Sequence, residues 1–335
     1  MESPGAGVGG SCIIGPSARR RAPEVCMSGI GVVTNPRSRR NRKNPGLQAQ
    51  LAYVLGERGA LAAPTDLDAL EKVIQHFRDR EIDVLAINGG DGTNHVVLSA
   101  LLRVYGDAPL PKIALLRGGT MNTVASGLGV RGSPDDLLGR LVDTYHTQAP
   151  FQLAQRSLLV VGDKAGFLFG NGAISKFLEV YYEDDDPSPW SATKLVVKGV
   201  LSALVNGALT RRVFAPVNAR VSVNGSPWAP TRWLTVGVGS VDDIGLGFRP
   251  FFRALQHPGK LHALGFACEP MDLIRQLWNI FRARPIDNPN ILEAVTEGVV
   301  IEADEPLGYM IDGDFHQGGQ RLEVKVGPTL QMILL

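Results

Sequence analysis

Cysteine is scarce in this chain, with only Cys12, Cys26 and Cys268 among 335 residues. So sparse and odd a set builds no disulfide framework, and its spacing matches no zinc site, so a reducing cytoplasm is the expectation. Net charge is nearly absent too. Lys and Arg number 34 against 33 Asp and Glu, a formal charge of +1. Global charge therefore says little about partners, and no nucleic acid is expected among them. No apolar run approaches the roughly 20 residues that span a bilayer. The first residues, rich in Gly, Ser and Arg, lack the apolar core of a secretion signal. No Walker A run ending in Gly-Lys-Ser/Thr occurs. Residues 127–132 fit the spacing GxGxxG, but they follow a helix-like segment rather than a strand, which is the wrong context for a dinucleotide fingerprint. His257 and His262 lack partners at metal-binding spacing. The run Asp184, Asp185, Asp186 reads as a solvated loop.

What is present is enough apolar material, 44% of the residues, to bury the cores of two domains. Residues 1–28 carry no periodicity and are expected to form a flexible leader. Charge is distributed unevenly: eight Lys and Arg through Gly46 face only Glu2 and Glu24. A basic region of that kind suits phosphates or an anionic membrane surface. From residue 29 strands alternate with amphipathic helices. Strands are expected at 29–34, 84–88 and 113–116. Helices are expected at 47–58, from Thr65 or Asp66 to about 80, at 94–104 and at 134–143. That alternation predicts an α/β domain with a Rossmann-like, three-layer, mostly parallel sheet over residues 29–150.

Beyond residue 150 the pattern changes to short alternating runs, with a hairpin signal at Asn224-Gly225. This predicts a mainly antiparallel β-sandwich for residues 151–319. Two apolar helical stretches, at 192–209 and 271–282, interrupt it and suit a lipid cleft or a membrane-facing surface as well as core packing.

Residues 87–93 read Ile-Asn-Gly-Gly-Asp-Gly-Thr, where a buried strand ends in a glycine turn that feeds a helix. Gly89, Gly90 and Gly92 let backbone N–H groups approach an anion, and the helix N-terminus favours negative charge. Asp91 would repel bound phosphates unless it handles a cation or accepts a proton, so the loop points to phosphoryl transfer. A second loop, Gly118-Gly119-Thr120-Met121-Asn122, also leaves the carboxyl end of a strand, where open α/β sheets bind ligands. Asp312-Gly313 is a hairpin signal in its own right, since Asp-Gly suits a tight turn.

Gly89-Gly90-Asp91-Gly92-Thr93 resembles the GGDGT signature of the diacylglycerol kinase, sphingosine kinase and NAD kinase superfamily. Residues 32–39 resemble its NPxSG block, residues 116–125 its PxGTxNDxA block and residues 310–314 its DGE block, in the order of the lipid-kinase branch. The resemblance implies that ATP sits on Asn35, Gly89, Gly90, Gly92, Thr93, Gly119, Thr120 and Asn122. Asp91 and Asp314 would organise Mg²⁺, with Asp91 also catalytic. Asp312 would take the proton of a lipid hydroxyl. It also implies that residues from about 320 return to the first domain.

Several positions depart from the family pattern. Arg39 replaces a Gly, Val96 a frequent Glu, Thr123 a frequent Asp and Asp314 a Glu. Gln256-His257-Pro258-Gly259 stands where bacterial relatives carry an accessory metal loop, and it has no carboxylate. Residues 170–176 lack the acid with which sphingosine kinases hold an amine. The expectation is an ATP-dependent kinase of a diacylglycerol-like, neutral lipid alcohol, cytoplasmic and peripheral at a membrane surface, of undetermined oligomeric state. The alternatives are a kinase of a soluble alcohol and a nonenzymatic nucleotide- or lipid-sensing module.

Overall fold

Residues 29–56, 59–182 and 213–335 are described in the computed structural model. The leader, Cys12, Cys26, the Asp184–Asp186 run and the 192–209 stretch lie outside the described residues.

Strands β1 (Ile30–Thr34) and β3 (Val84–Asn88) are buried at every residue, as befits parallel strands covered on both faces. They pair in register, flanked by β2 (Ala60–Ala62) and β4 (Lys112–Leu115) in the parallel order β2-β1-β3-β4. Six helices belong to this part: α1 (Arg39–Arg42), α2 (Leu47–Leu55), α3 (Leu67–Asp79), α4 (Asp91–Tyr105), α5 (Thr123–Gly127) and α6 (Pro134–His146). Helix α2 packs on α6 and α3 on α4, which gives the three-layer α/β order. The apolar stripe of α3 buries Leu70, Ile74 and Phe77, and the Asp66 carboxylate caps the helix by accepting from Ala69 N at 2.8 Å. Leu67 of that stripe is 55% exposed, because it opens the helix at the rim of the cavity described below.

The second part begins with the pair β5 (Leu153–Val161) and β6 (Lys164–Gly166), followed by β7 (Leu168–Asn171) and α7 (Ala173–Tyr182). Short strands β8 (Val217–Asn218), β9 (Arg220–Val223), β10 (Ser226–Pro227) and β11 (Arg232–Trp233) precede β12 (Thr235–Gly239) and β13 (Leu261–Phe266). Helix α8 (Pro270–Phe281) leads to β14 (Ile291–Thr296), β15 (Gly298–Glu302), β16 (Gly308–Ile311), β17 (Asp314–Gln317) and β18 (Arg321–Ile333). Six of these strands form a wholly antiparallel sheet, β14-β13-β12-β7-β16-β17. Its apolar face, including Phe169, Val236 and Ile311, shares one core with Val221, Val299 and Val324 of the larger sheet. Two facing sheets closed over such a core make the expected sandwich.

Strand β18 is the joint between the parts. Residues 321–325 pair antiparallel with β15, residues 324–333 pair antiparallel with β5, and Met332 near its end pairs parallel with Ile113 of β4. A register shift between Val326 and Thr329 accommodates Gly327-Pro328. The sequence pattern stops at that dipeptide; the strand continues through it as a bulge, the usual place for Pro inside a sheet.

Candidate active site

Helix α4 begins at Asp91, three residues earlier than periodicity suggests, with Gly90 as its extended N-cap. Asp91, Gly92 and Thr93 are therefore the first helical turn and not a free loop. A first-turn carboxylate is favoured by the helix dipole. The Asp91 side chain spans to the second loop, where Oδ2 accepts from Thr123 N at 2.9 Å and Oδ1 from Val124 N at 3.3 Å. It thereby caps α5. Asn122, the residue before α5, has a left-handed backbone, φ +50°, and makes no side-chain cap of its own. Its amide folds back to accept from Gly119 N and donate to Gly119 O, both at 3.0 Å. A Cβ on Gly119 would run into the backbone of Gly90, so the two loops touch glycine to glycine. Asn35, after β1, donates from Nδ2 to Thr93 Oγ1 at 2.9 Å. Three sequence blocks thus meet in one cradle of backbone N–H groups.

Asp312 and Gly313 form the two-residue turn between β16 and β17, with φ +48° and +92°. Positive φ at both positions is what a tight hairpin of this hand requires, and Asp-Gly suits it. The turn is also part of the site. Asp312 is 5% exposed, and its carboxylate accepts from Phe167 N (3.0 and 3.1 Å) and Leu168 N (2.8 Å). Burial pushes its pKa well above the ordinary carboxylate range; the nearby charges of Asp91 and Asp314 push the same way, while the two backbone donors oppose. Asp314, partly buried, is raised by burial and then by Asp91, with no hydrogen-bond donor among the described residues to offset the shift. It rests against the first turn of α4: a Cβ on Gly92 would lie 2.6 Å from Asp314 Oδ1. Asp91 is also raised by burial, against the pull of the Thr123 and Val124 amides.

All three carboxylates, both loops, Asn35 and Thr120 line one cavity of about 980 Å³. On the far side it is walled by apolar side chains, among them Phe169, Phe248, Leu264, Ile274 and Leu277. Every charged lining residue belongs to the first domain or to the Asp312–Asp314 turn. Among the described residues, no three His, Cys, Asp or Glu side chains gather as a metal-binding group.

Two features escaped sequence reasoning. His95, one helical turn into α4, meets His316 of β17 with Nε2 to Nε2 at 3.1 Å, while its Nδ1 lies 2.7 Å from Ala165 O. The Ala165 carbonyl can only accept, so His95 carries its proton on Nδ1 and His316 donates from Nε2. Burial lowers the pKa of His95 to about 4 and lowers that of His316 as well. The second feature is Asn41 and Asn88, buried beneath the cradle, where Asn41 Nδ2 donates to Asn35 O at 2.7 Å. Short-range pattern carries no signal for either, since each is defined by contacts distant in sequence.

Residues 29–152 match the model of the family described as "Diacylglycerol kinase catalytic domain". A Klebsiella pneumoniae (strain 342) protein named "Probable lipid kinase YegS-like" is 26% identical over 234 residues, 70% of this chain and 71% of its own length. The Salmonella typhimurium protein named "Probable lipid kinase YegS" is 24% identical over 258 residues, 77% of this chain and 80% of its own. A crystal structure of a diacylglycerol kinase from Bacillus anthracis str. Sterne superposes with a TM-score of 0.63 over 93% of this chain and 98% of its own, at 14% identity, a likeness of fold.

Proposed function

The chain belongs to the diacylglycerol kinase-type lipid-kinase family, and from that premise we propose that it transfers the γ-phosphate of ATP to the hydroxyl of a neutral, diacylglycerol-like lipid. The observation that carries this reading is the shared cavity. The glycine cradle and the Asp312–Asp314 turn open into a chamber whose apolar wall bears no charge among the described residues. Such a wall favours acyl chains over an ionic headgroup, because an unpaired charge there would lose its water without compensation.

In this reading residues 29–150, with the returning tail at about 320–335, hold the nucleotide, and residues 151–319 hold the lipid. The backbone N–H groups around Gly90, Gly92 and Gly119, with Asn35, Thr93 and Thr120, face the ATP phosphates, while Gly89 and Asn122 shape the two loops from outside the cavity lining. Asp91 locks the two loops together through Thr123 and Val124. Asp314, which accepts no hydrogen bond among the described residues, and Asp91, whose charge it feels, would hold a Mg²⁺ ion brought by ATP. Bound there, the ion would neutralise charge on the transferred group.

Asp312 takes the proton of the lipid hydroxyl as that oxygen bonds to the γ-phosphorus and the bond to ADP breaks. The Phe167 and Leu168 amides fix the carboxylate at the head of the chamber, and burial raises its basicity. The test is incubation with radiolabelled ATP, Mg²⁺ and mixed micelles of diacylglycerol, monoacylglycerol, ceramide, sphingosine or phosphatidylglycerol, with Asp314→Asn as the blank. Label in a neutral lipid, absent from the blank, is expected. ATP binding without label in any lipid would sink the proposal.

A further inference from the structure

Helix α8 divides its apolar residues between two surfaces. Leu273, Ile274, Leu277 and Ile280 line the chamber. Beside that row, at the edge of the chamber wall, Trp278 and Phe281 remain 59% and 45% exposed, although they are the two largest side chains of the helix; Phe281 also packs edge-on against Phe248 of the chamber wall, with ring centroids 5.8 Å apart. Their rings stack on each other with centroids 6.0 Å apart and planes 17° apart, forming one flat apolar platform. Only Ile280 of the helix is fully buried. Solvating such a platform is unfavourable, and adjacent exposed aromatics mark an interaction surface.

The charge around the platform is ordered. The guanidinium of Arg282 lies 4.5 Å above the Trp278 ring. Arg284 follows, and neither arginine is ion-paired among the described residues. Asp287 follows in sequence, and Asp242 near this end is held by Arg249, whose backbone N–H donates to Ile280 O. At the other end of the helix sit Glu269 and Asp272, and Asp272 is engaged by Arg275 at 2.9 Å. Aromatic rings with arginines beside them suit the boundary between headgroups and acyl chains, where each side chain keeps its polar part wet.

We propose that α8 docks the enzyme on an anionic lipid bilayer, with Trp278 and Phe281 entering the headgroup boundary and Arg282 and Arg284 holding acidic headgroups. The proposal rests on the reading of the chamber as a lipid site. Because the exposed rings adjoin the row of α8 that lines the chamber, docking would bring the edge of the chamber up to the bilayer.

The experiment is sedimentation of the full chain with phosphatidylcholine vesicles, with and without phosphatidylglycerol. Comparison variants are Trp278→Ser and the pair Arg282→Gln with Arg284→Gln; none of these residues lines the chamber. Trp278→Ser is expected to weaken binding to both vesicle types by roughly tenfold. The arginine pair is expected to weaken only binding to anionic vesicles, by about fivefold per arginine. Thermal unfolding should be unchanged in both. Turnover of a short-chain diacylglycerol held below its micelle concentration should also be unchanged. Wild-type binding to vesicles that both variants retain would overturn the proposal, as would a wild-type dimer that Trp278→Ser dissolves. If vesicle binding behaves as described but no lipid is phosphorylated, the docking surface stands and the kinase reading falls. If lipid is phosphorylated without vesicle binding, the reverse holds.

Discussion

Asp314 of the β16–β17 hairpin rests on Gly92 of α4: a Cβ at Gly92 would lie 2.6 Å from Asp314 Oδ1. The contact places a carboxylate from the β16–β17 hairpin directly on the first turn of α4. Gly92 is helical and its φ is not positive, so the backbone does not require glycine there; the neighbouring carboxylate does. Gly92→Ala is therefore expected to leave stability within about 1 kcal/mol of wild type, since helix propensity favours Ala. It should lower kcat by about tenfold or more by displacing Asp314, an effect of the size seen when a positioned group is moved. Unfolding midpoints and turnover measured side by side check this. Full activity in Gly92→Ala would show that the contact has no catalytic consequence.

Asp314→Asn separates stability from activity in the same direction. The carboxylate is raised by burial and by Asp91, and no donor compensates it. Removing its charge is expected to leave the unfolding temperature unchanged or higher while activity falls. A clear drop in unfolding temperature would instead give Asp314 a structural role.

The pH dependence of turnover follows from Asp312. A base must be deprotonated to act, and burial holds Asp312 well above the ordinary carboxylate range. The acidic limb of kcat/KM should therefore lie above that range and be absent from the residual activity of Asp312→Asn. The same shift has a stability consequence. Asp91, Asp312 and Asp314 all bind protons more tightly folded than unfolded. Their contribution is full below the unfolded carboxylate pKa and is lost as pH rises through their raised values. Asp312→Asn should flatten that loss in urea titrations across pH.

His95 acts with the opposite sign. Its folded pKa of about 4 lies below the ordinary histidine value of 6.5, so the unfolded chain binds the extra proton. Stability from the neutral His95–His316 pair is full above pH 6.5 and falls as the pH drops towards 4, by about 3 kcal/mol. Protonating His95 at Nε2 would set its N–H against the N–H of His316, so the same pH change loosens α4 from β17. His95→Gln should abolish this limb of the stability curve; an unchanged limb would assign it to other groups.

Much of this protein is determined by short stretches of sequence. The buried strands β1, β3 and β4 are apolar runs ended by turn residues. The stripe of α3 follows helical period, and Asp312-Gly313 specifies its hairpin whatever surrounds it. These features rest on side-chain periodicity and turn chemistry, which act over a few residues. Only the tertiary structure decided that Asp91 spends its carboxylate on the Thr123 and Val124 amides, or that the Asp312–Asp314 turn opens onto the glycine cradle. The same holds for the His95–His316 contact, for the run of β18 through Gly327-Pro328 to join the parallel strands to the antiparallel ones in the larger sheet, and for the division of α8 between chamber and surface. Each depends on groups brought together from distant parts of the chain. Their energies come from burial and direct contact, and no local pattern of residues encodes which partner will be found there.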